Sequence, residues 1–173
     1  MSCSVLSREE ILELLSRHPP LVEGLTDPQR QLQPNGVDLS LKEIALLSAS
    51  GRVTAGDEER LLPAASPLTF DAFGFVDLFP GCYLVTYNEV LHLPRDLMAL
   101  GFPRSSLLRC GTTIHTAVWD AGYSGRSQSL LVVYNPQGFR LQRRARLLQL
   151  VFLRLSAETR EGYQGIFQGE NIQ

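Results

Sequence analysis

The chain has 173 residues, 44% of them apolar, which is the size of one domain and enough for one sizeable core. Its formal net charge is −2, so the overall balance does not argue for a nucleic-acid partner or an anionic membrane surface, and any phosphate chemistry must be local. Lys42 is the only lysine, so phosphates would be gripped by guanidinium groups and backbone N–H donors.

The first residues combine Arg8, Glu9, Glu10 and Glu13 with no long apolar run, which fits neither a signal peptide nor a membrane span and points to the cytoplasm. Ser7 predicts a helix N-cap, with Glu10 as its capping-box partner and Leu6 and Ile11 as a hydrophobic staple. Ile11, Leu14 and Leu15 share one face of that helix. Pro19 and Pro20 end the pattern, giving a helical N-terminal segment within residues 1–20.

From Gln31 onward the helical period disappears, and short apolar runs alternate with turn residues. Strands are predicted near Gly36–Leu41, Gly81–Thr86, Glu89–Leu93, Leu130–Tyr134 and Leu147–Leu155, punctuated by Pro80–Gly81, Asn88, Pro94, Asn135–Pro136 and Gly138. Many short strands without intervening helices predict an all-β jelly roll or distorted barrel preceded by one short helix. Ser48 to Pro67 reads as a long surface hairpin or insertion loop. The polar, glycine-containing tail 158–173 should be mobile unless a ligand or neighbour orders it. Cys3, Cys82 and Cys110 are odd in number and far apart, which argues against a disulfide framework or a zinc site.

Asp120-Ala121-Gly122-Tyr123-Ser124-Gly125 has the composition of a tight hairpin following the apolar stretch Thr113–Trp119. Taken alone it is an ordinary turn with Asp120 capping its own backbone. It stands, however, in a fixed order of short motifs. Before it come Asn35-Gly36-Val37-Asp38-Leu39 and Pro103-Arg104-Ser105-Ser106-Leu107. After it come Arg146-Leu147-Leu148-Gln149-Leu150-Val151-Phe152 and Gly162-Tyr163-Gln164-Gly165-Ile166-Phe167-Gln168-Gly169. Together these resemble the five motifs of the dUTPase and dCTP deaminase superfamily, over about Gln33 to Gly169.

The resemblance implies a dUTPase-like β-barrel homotrimer with active sites between subunits, acting on a deoxynucleoside triphosphate with magnesium. It implies that Asp120 orients and deprotonates the attacking water and that Tyr123 lies under the deoxyribose. Arg104, Ser105 and Ser106 correspond to the phosphate-contacting segment, Gln149 to the motif-four glutamine, and Asp38 to the motif-one aspartate near the metal and its waters. Tyr163 and Gln168 correspond to the substrate-contacting last motif. Magnesium would be held mainly by substrate phosphates and water. That fits a hard ion that usually keeps several waters, and a carboxylate ionised at neutral pH needs no special tuning to act as a base.

Each residue also has a plainer role. Asp38 could serve a turn, Gln149 a buried strand, and Ser105 and Ser106 could be simple turn hydroxyls. Arg140 and Arg143 read best as a solvated edge, and Arg146 is the better phosphate candidate in that basic cluster.

Deaminase members carry a glutamate ten residues beyond the motif-three aspartate, where Leu130 stands here. Leucine cannot move a proton, and Ser127–Tyr134 contains no carboxylate, so the expected reaction is hydrolysis of dUTP to dUMP and pyrophosphate. The zinc deaminase signature is absent around His18, His92 and His115. Arg109, the Ser105–Ser106 pair and the tail still resemble the deaminase-like branch, similar to archaeal dUTPases. Uracil would be read by backbone groups of the Thr112–Val118 hairpin, with His115 a further candidate for that pocket. Two alternatives stay open. One is a dCTP deaminase. The other is a non-catalytic nucleotide-binding regulatory homologue, suggested by Ile166 where relatives place a phosphate-binding lysine and by Arg144 in place of the motif-four glycine.

Overall fold

The computed structural model describes residues 4–172, so Cys3 and Gln173 lie outside the described residues. Strand β1 (Ser4–Val5) leads into helix α1 (Arg8–Leu15), followed by β2 (Val22–Glu23), α2 (Pro28–Gln31), β3 (Leu32–Gln33) and the long β4 (Gly36–Leu47). The middle of the chain supplies β5 (Ala65–Pro67), β6 (Phe75–Leu78), β7 (Gly81–Tyr87), β8 (Val90–His92) and β9 (Leu97–Pro103). After α3 (Ser105–Arg109) come β10 (Thr112–His115), β11 (Ser124–Gly125), β12 (Gln128–Val133), β13 (Phe139–Gln142) and β14 (Arg146–Arg154).

Helix α1 starts where its capping box dictates. Ser7 accepts from the Glu10 N–H at 3.3 Å and Glu10 accepts from the Ser7 N–H at 3.0 Å. Leu6 and Ile11 are both fully buried, as a staple requires. The helix ends at Leu15, before Pro19 is reached, with Ser16 as its C-cap.

The all-β expectation holds. A nine-stranded sheet runs β1-β14-β4-β7-β12-β10, with β3 and β5 also on β4 and β9 also on β14. It curls so that its ends, β9 and β10, face each other, and Ala99 and Trp119 bridge across (N–H···O=C 2.9 and 3.1 Å). Two small sheets, β11-β8-β2 and β13-β6, complete the half-barrel. The core inside it includes Leu39, Leu41, Ile44, Val85, Leu131, Leu148, Leu150 and Phe152.

All five expected strands are present, and β4 continues to Leu47. There it joins β5 through the segment expected as a surface hairpin, with an Arg52–Leu61 bridge inside it. The sequence pattern does not predict β1, β2, β3, β6, β9 or β13, nor helices α2 and α3. In β9, Leu97-Met98-Ala99-Leu100-Gly101-Phe102 shows no polar alternation, and such a short apolar run cannot be assigned by periodicity. Cys82 and Cys110 are unpaired and exposed. Among the described residues, no helix is long and apolar enough to cross a membrane.

Candidate active site

Two groups of the expected site residues emerge, on different parts of the sheet. The first lies where β4, β14 and β9 run side by side. Gln149 is in register with Asp38 on one side and with Phe102 on the other, so these side chains share one face of the sheet. Leu147 forms a bulge between Arg146, opposite Ser40, and Leu148, opposite Leu39. An unbroken ladder would put Arg146 opposite Leu41 and its side chain on the core face. The extra residue brings Arg146 round to the face of Asp38 and Gln149.

The Asp38 carboxylate is almost fully buried. Its Oδ2 accepts from Arg146 Nη1 at 3.0 Å, lies 3.1 Å from Arg104 Nε and accepts from Gln33 Nε2 at 3.4 Å. Burial pushes its pKa above the ordinary aspartate value, and the two guanidinium groups oppose that shift. Arg104 and Arg146 line a cavity of about 470 Å³, together with Ser106, Arg30, Arg140 and Arg144. Ser105 and Arg109 are exposed on α3 and lie outside that lining. Arg109 folds back along its helix, donating to the Ser105 carbonyl at 3.4 Å.

The second group surrounds the turn after β10. Asp120 is exposed, and among the described residues its carboxylate has no hydrogen bond or ion pair. Behind it Trp119 and Tyr123 are each 5% exposed. Together they border a largely apolar cavity of about 530 Å³, with Ala117, Val118 and Leu84. Among the described residues, the peptide groups of Thr116, Ala117 and Val118 make no backbone hydrogen bond, so they are free to read a ligand's edge.

The segment 158–172 packs on this same turn. Gly122 and Gly162 touch backbone to backbone: a Cβ on Gly122, whose φ is +84°, would sit 2.6 Å from the Gly162 Cα. Tyr163 donates its N–H to the Ala121 carbonyl at 2.8 Å and sets its ring edge-on to Tyr123 at 5.7 Å. Gln168 accepts from the Ser124 N–H and donates to the Gly122 carbonyl, both at 3.0 Å. The Tyr123 hydroxyl donates to Glu170 at 2.8 Å. Burial raises the pKa of the Tyr123 phenol, as the Glu170 charge does further, and burial raises that of Glu170.

Leu130 is in register with Leu84 on β7 and His115 on β10. Alternation places it on the face of Gln128, and Gln128 and Leu84 both line the apolar cavity. The position that carries a glutamate in deaminases therefore shares a sheet face with two cavity residues, as a leucine that is not itself part of the lining. His115 is exposed and lines neither cavity.

Among the described residues, no hydrogen bond or ion pair joins the group of Asp38, Arg104, Arg146 and Gln149 to that of Asp120, Tyr123, Tyr163 and Gln168. Sequence reading also passed over Trp119, Glu170 and Arg30. Trp119 is the only tryptophan and directly precedes Asp120, a usable signal; Glu170 and Arg30 carry none.

Residues 5–155 match the family model described as dCTP deaminase-like. A Methanosarcina mazei protein named probable deoxyuridine 5′-triphosphate nucleotidohydrolase is 49% identical over 168 residues, covering 97% of this chain and 98% of its own length. An Archaeoglobus fulgidus protein of the same name is 44% identical, covering 98% of each. Among solved structures, the 2′-deoxycytidine 5′-triphosphate deaminase from Agrobacterium tumefaciens matches with a TM-score of 0.64 at 21% identity, over 89% of this chain and 50% of that one. That likeness concerns the fold.

Proposed function

This chain belongs to the dCTP deaminase-like family, and within it we propose a deoxyuridine 5′-triphosphate nucleotidohydrolase acting in the cytoplasm, which converts dUTP and water to dUMP and pyrophosphate. The observation that carries hydrolysis over deamination is Leu130. The strand that would present a proton shuttle to the base offers a leucine, and a hydrocarbon cannot protonate the cytosine ring or its leaving amine.

The apolar cavity supplies the base and sugar sites. Trp119 and Tyr123 wall it, and the unpaired peptide groups of residues 116–118 match the alternating donors and acceptors of uracil. The Tyr123 ring closes the sugar side, leaving no space for a 2′-hydroxyl. The Asp120 carboxylate, free of internal partners, holds and deprotonates a water for in-line attack at the α-phosphorus, with pyrophosphate leaving on the opposite side. Arg104, Arg146, Ser106 and Gln149 take the phosphates. Asp38 acts through the two arginines, fixing their guanidinium planes by ion pairs. The 162–171 segment lies over the turn as a cover, with Tyr163 and Gln168 on its inner side.

Among the described residues, no cluster of three His, Cys, Asp or Glu side chains could cage a metal. This donor set fits a hard ion carried in on the triphosphate and held mainly by phosphate oxygens and water. Bound magnesium would supply charge neutralisation on the phosphates. The family resemblance implies a homotrimer, and with no hydrogen bond or ion pair joining the two groups of site residues among the described residues, we read the complete site as assembled between copies.

The decisive assay is incubation with dUTP and with dCTP separately, resolving nucleotides and pyrophosphate by chromatography. dUMP and pyrophosphate from dUTP, with dCTP intact, is the expected result, and Asp120→Asn should lower turnover at least about 100-fold while folding normally. Deamination of dCTP would replace this assignment with a deaminase, and inertness to both with retained nucleotide binding would identify a non-catalytic homologue.

A further inference from the structure

The turn joining β13 to β14 runs Gln142-Arg143-Arg144-Ala145, closed by the Ala145 N–H donating to the Gln142 carbonyl at 3.1 Å. Its third residue, Arg144, has φ +65°, and among the described residues Arg144 and Asn171 are the two non-glycine residues with a positive φ. A turn with a left-handed third residue selects glycine or asparagine, because a Cβ there crowds the backbone. This chain instead places an arginine at that position. The strain needs a reason in the side chain.

Arg144 is one of the residues lining the arginine-rich cavity of about 470 Å³. Four other arginines line it, and each is ion-paired: Arg104 and Arg146 share Asp38, Arg30 lies 3.6 Å from Asp27, and Arg140 lies 2.9 Å from Asp71. Among the described residues, the Arg144 guanidinium makes no hydrogen bond or ion pair. Its backbone is anchored, donating to the Leu41 carbonyl at 2.8 Å, so the turn is rigid while the head is uncommitted.

We infer that Arg144 is a substrate-binding residue of this chain, supplying the uncommitted guanidinium that grips the terminal phosphate of the triphosphate. The inference rests on the proposed nucleotide hydrolase reading for the identity of the ligand, though not for the existence of an anion site. A planar guanidinium binds two phosphate oxygens at once.

Binding and stability should move in opposite directions. Arg144→Gly relieves the left-handed strain and raises Tm by about 2–4 °C, while it raises the KM for dUTP about tenfold and weakens calorimetric binding of inorganic tripolyphosphate by a similar factor. Arg143→Gln removes the same charge from the adjacent residue, whose guanidinium stacks on Phe70 at 4.6 Å and lies outside the cavity lining. It should change neither constant more than about twofold. A higher Tm with unchanged KM and unchanged tripolyphosphate binding would overturn the inference, as would equal losses in both variants. Should the wild-type chain leave dUTP intact, the hydrolase reading fails, and the tripolyphosphate measurement still decides the anion site.

Discussion

Glu89 and Asp38 show two ways of burying a carboxylate. Asp38 is neutralised by two arginines. Glu89 is fully buried and among the described residues has no cation on it, held by the Ser40 N–H at 2.8 Å, the Ser40 hydroxyl at 2.6 Å and Gln31 Nε2 at 2.6 Å. Gln31 also donates to the Asp38 carbonyl at 2.8 Å, so this network ties β8 to the strand that presents Asp38. Burial holds the Glu89 carboxyl above its ordinary range, with these hydrogen bonds opposing. A raised folded-state pKa means that the native chain binds more protons than the unfolded one between the two values. Its contribution to stability is therefore complete below the ordinary glutamate range and declines as pH rises through the window up to the folded value. Glu10 and Asp71, held below their ordinary values by backbone hydrogen bonds, lose stability in the opposite sense as pH falls. Urea midpoints measured against pH for the wild type and Glu89→Gln isolate the first effect. The variant should be less stable, because an amide must turn a donor toward donors, and the decline with rising pH should be smaller. Parallel curves for the two proteins would show that Glu89 does not titrate across that window.

Among the elements, the turn of residues 120–125 and the segment that lies on it act as a pair. Their contact depends on two glycines at backbone distance, and no other residue type fits at Gly122, where both the φ of +84° and the 2.6 Å clearance forbid a Cβ. Gly122→Ala should detach the segment and leave the half-barrel folded. Trypsin cleavage at the exposed Arg160 should then accelerate about tenfold while Tm falls by a few degrees at most, and the KM for dUTP should rise. Unchanged cleavage would mean that the segment does not depend on this contact. The bulge at Leu147 matters in the same way, since one inserted residue decides which face of β14 Arg146 occupies.

At the scale of the whole molecule, no hydrogen bond or ion pair among the described residues joins the two residue groups. Phe102, Leu108 and Tyr134 are each more than half exposed, and Phe102 lies in register with Gln149 of the first group, which suits a surface covered by another copy. If sites are shared between copies, two inactive variants damaged in different groups can repair one another. Asp120→Asn and Arg104→Ala, each inactive alone, should regain about a quarter of wild-type activity when refolded together in equal amounts, because that fraction of randomly assembled sites draws an intact residue from each chain. No recovery, or a monomer by light scattering at all concentrations, would place the whole site within one chain.

Local chemistry made much of this protein legible in its sequence. The Ser7–Glu10 capping box, the Leu6–Ile11 staple and the turn composition of Asp120–Gly125 act over a few residues, so they can be read from the order of residues alone. The motif set did the same for the family, and the spacing from Asp120 to Leu130 for the choice of hydrolysis. Other features depend on contacts between residues far apart in the chain, which no local pattern encodes. Nothing near Leu147 announces the bulge that turns Arg146 toward Asp38, and the apolar run of β9 is read only from its pairing with β14. Glu89 is an ordinary charged residue until Gln31 and Ser40 close around it. Arg144 can be read in sequence as a replaced glycine, but its strain and its lack of a carboxylate partner exist only once the turn and the cavity are folded, because backbone geometry and the pairing of neighbouring charges are set by the tertiary structure.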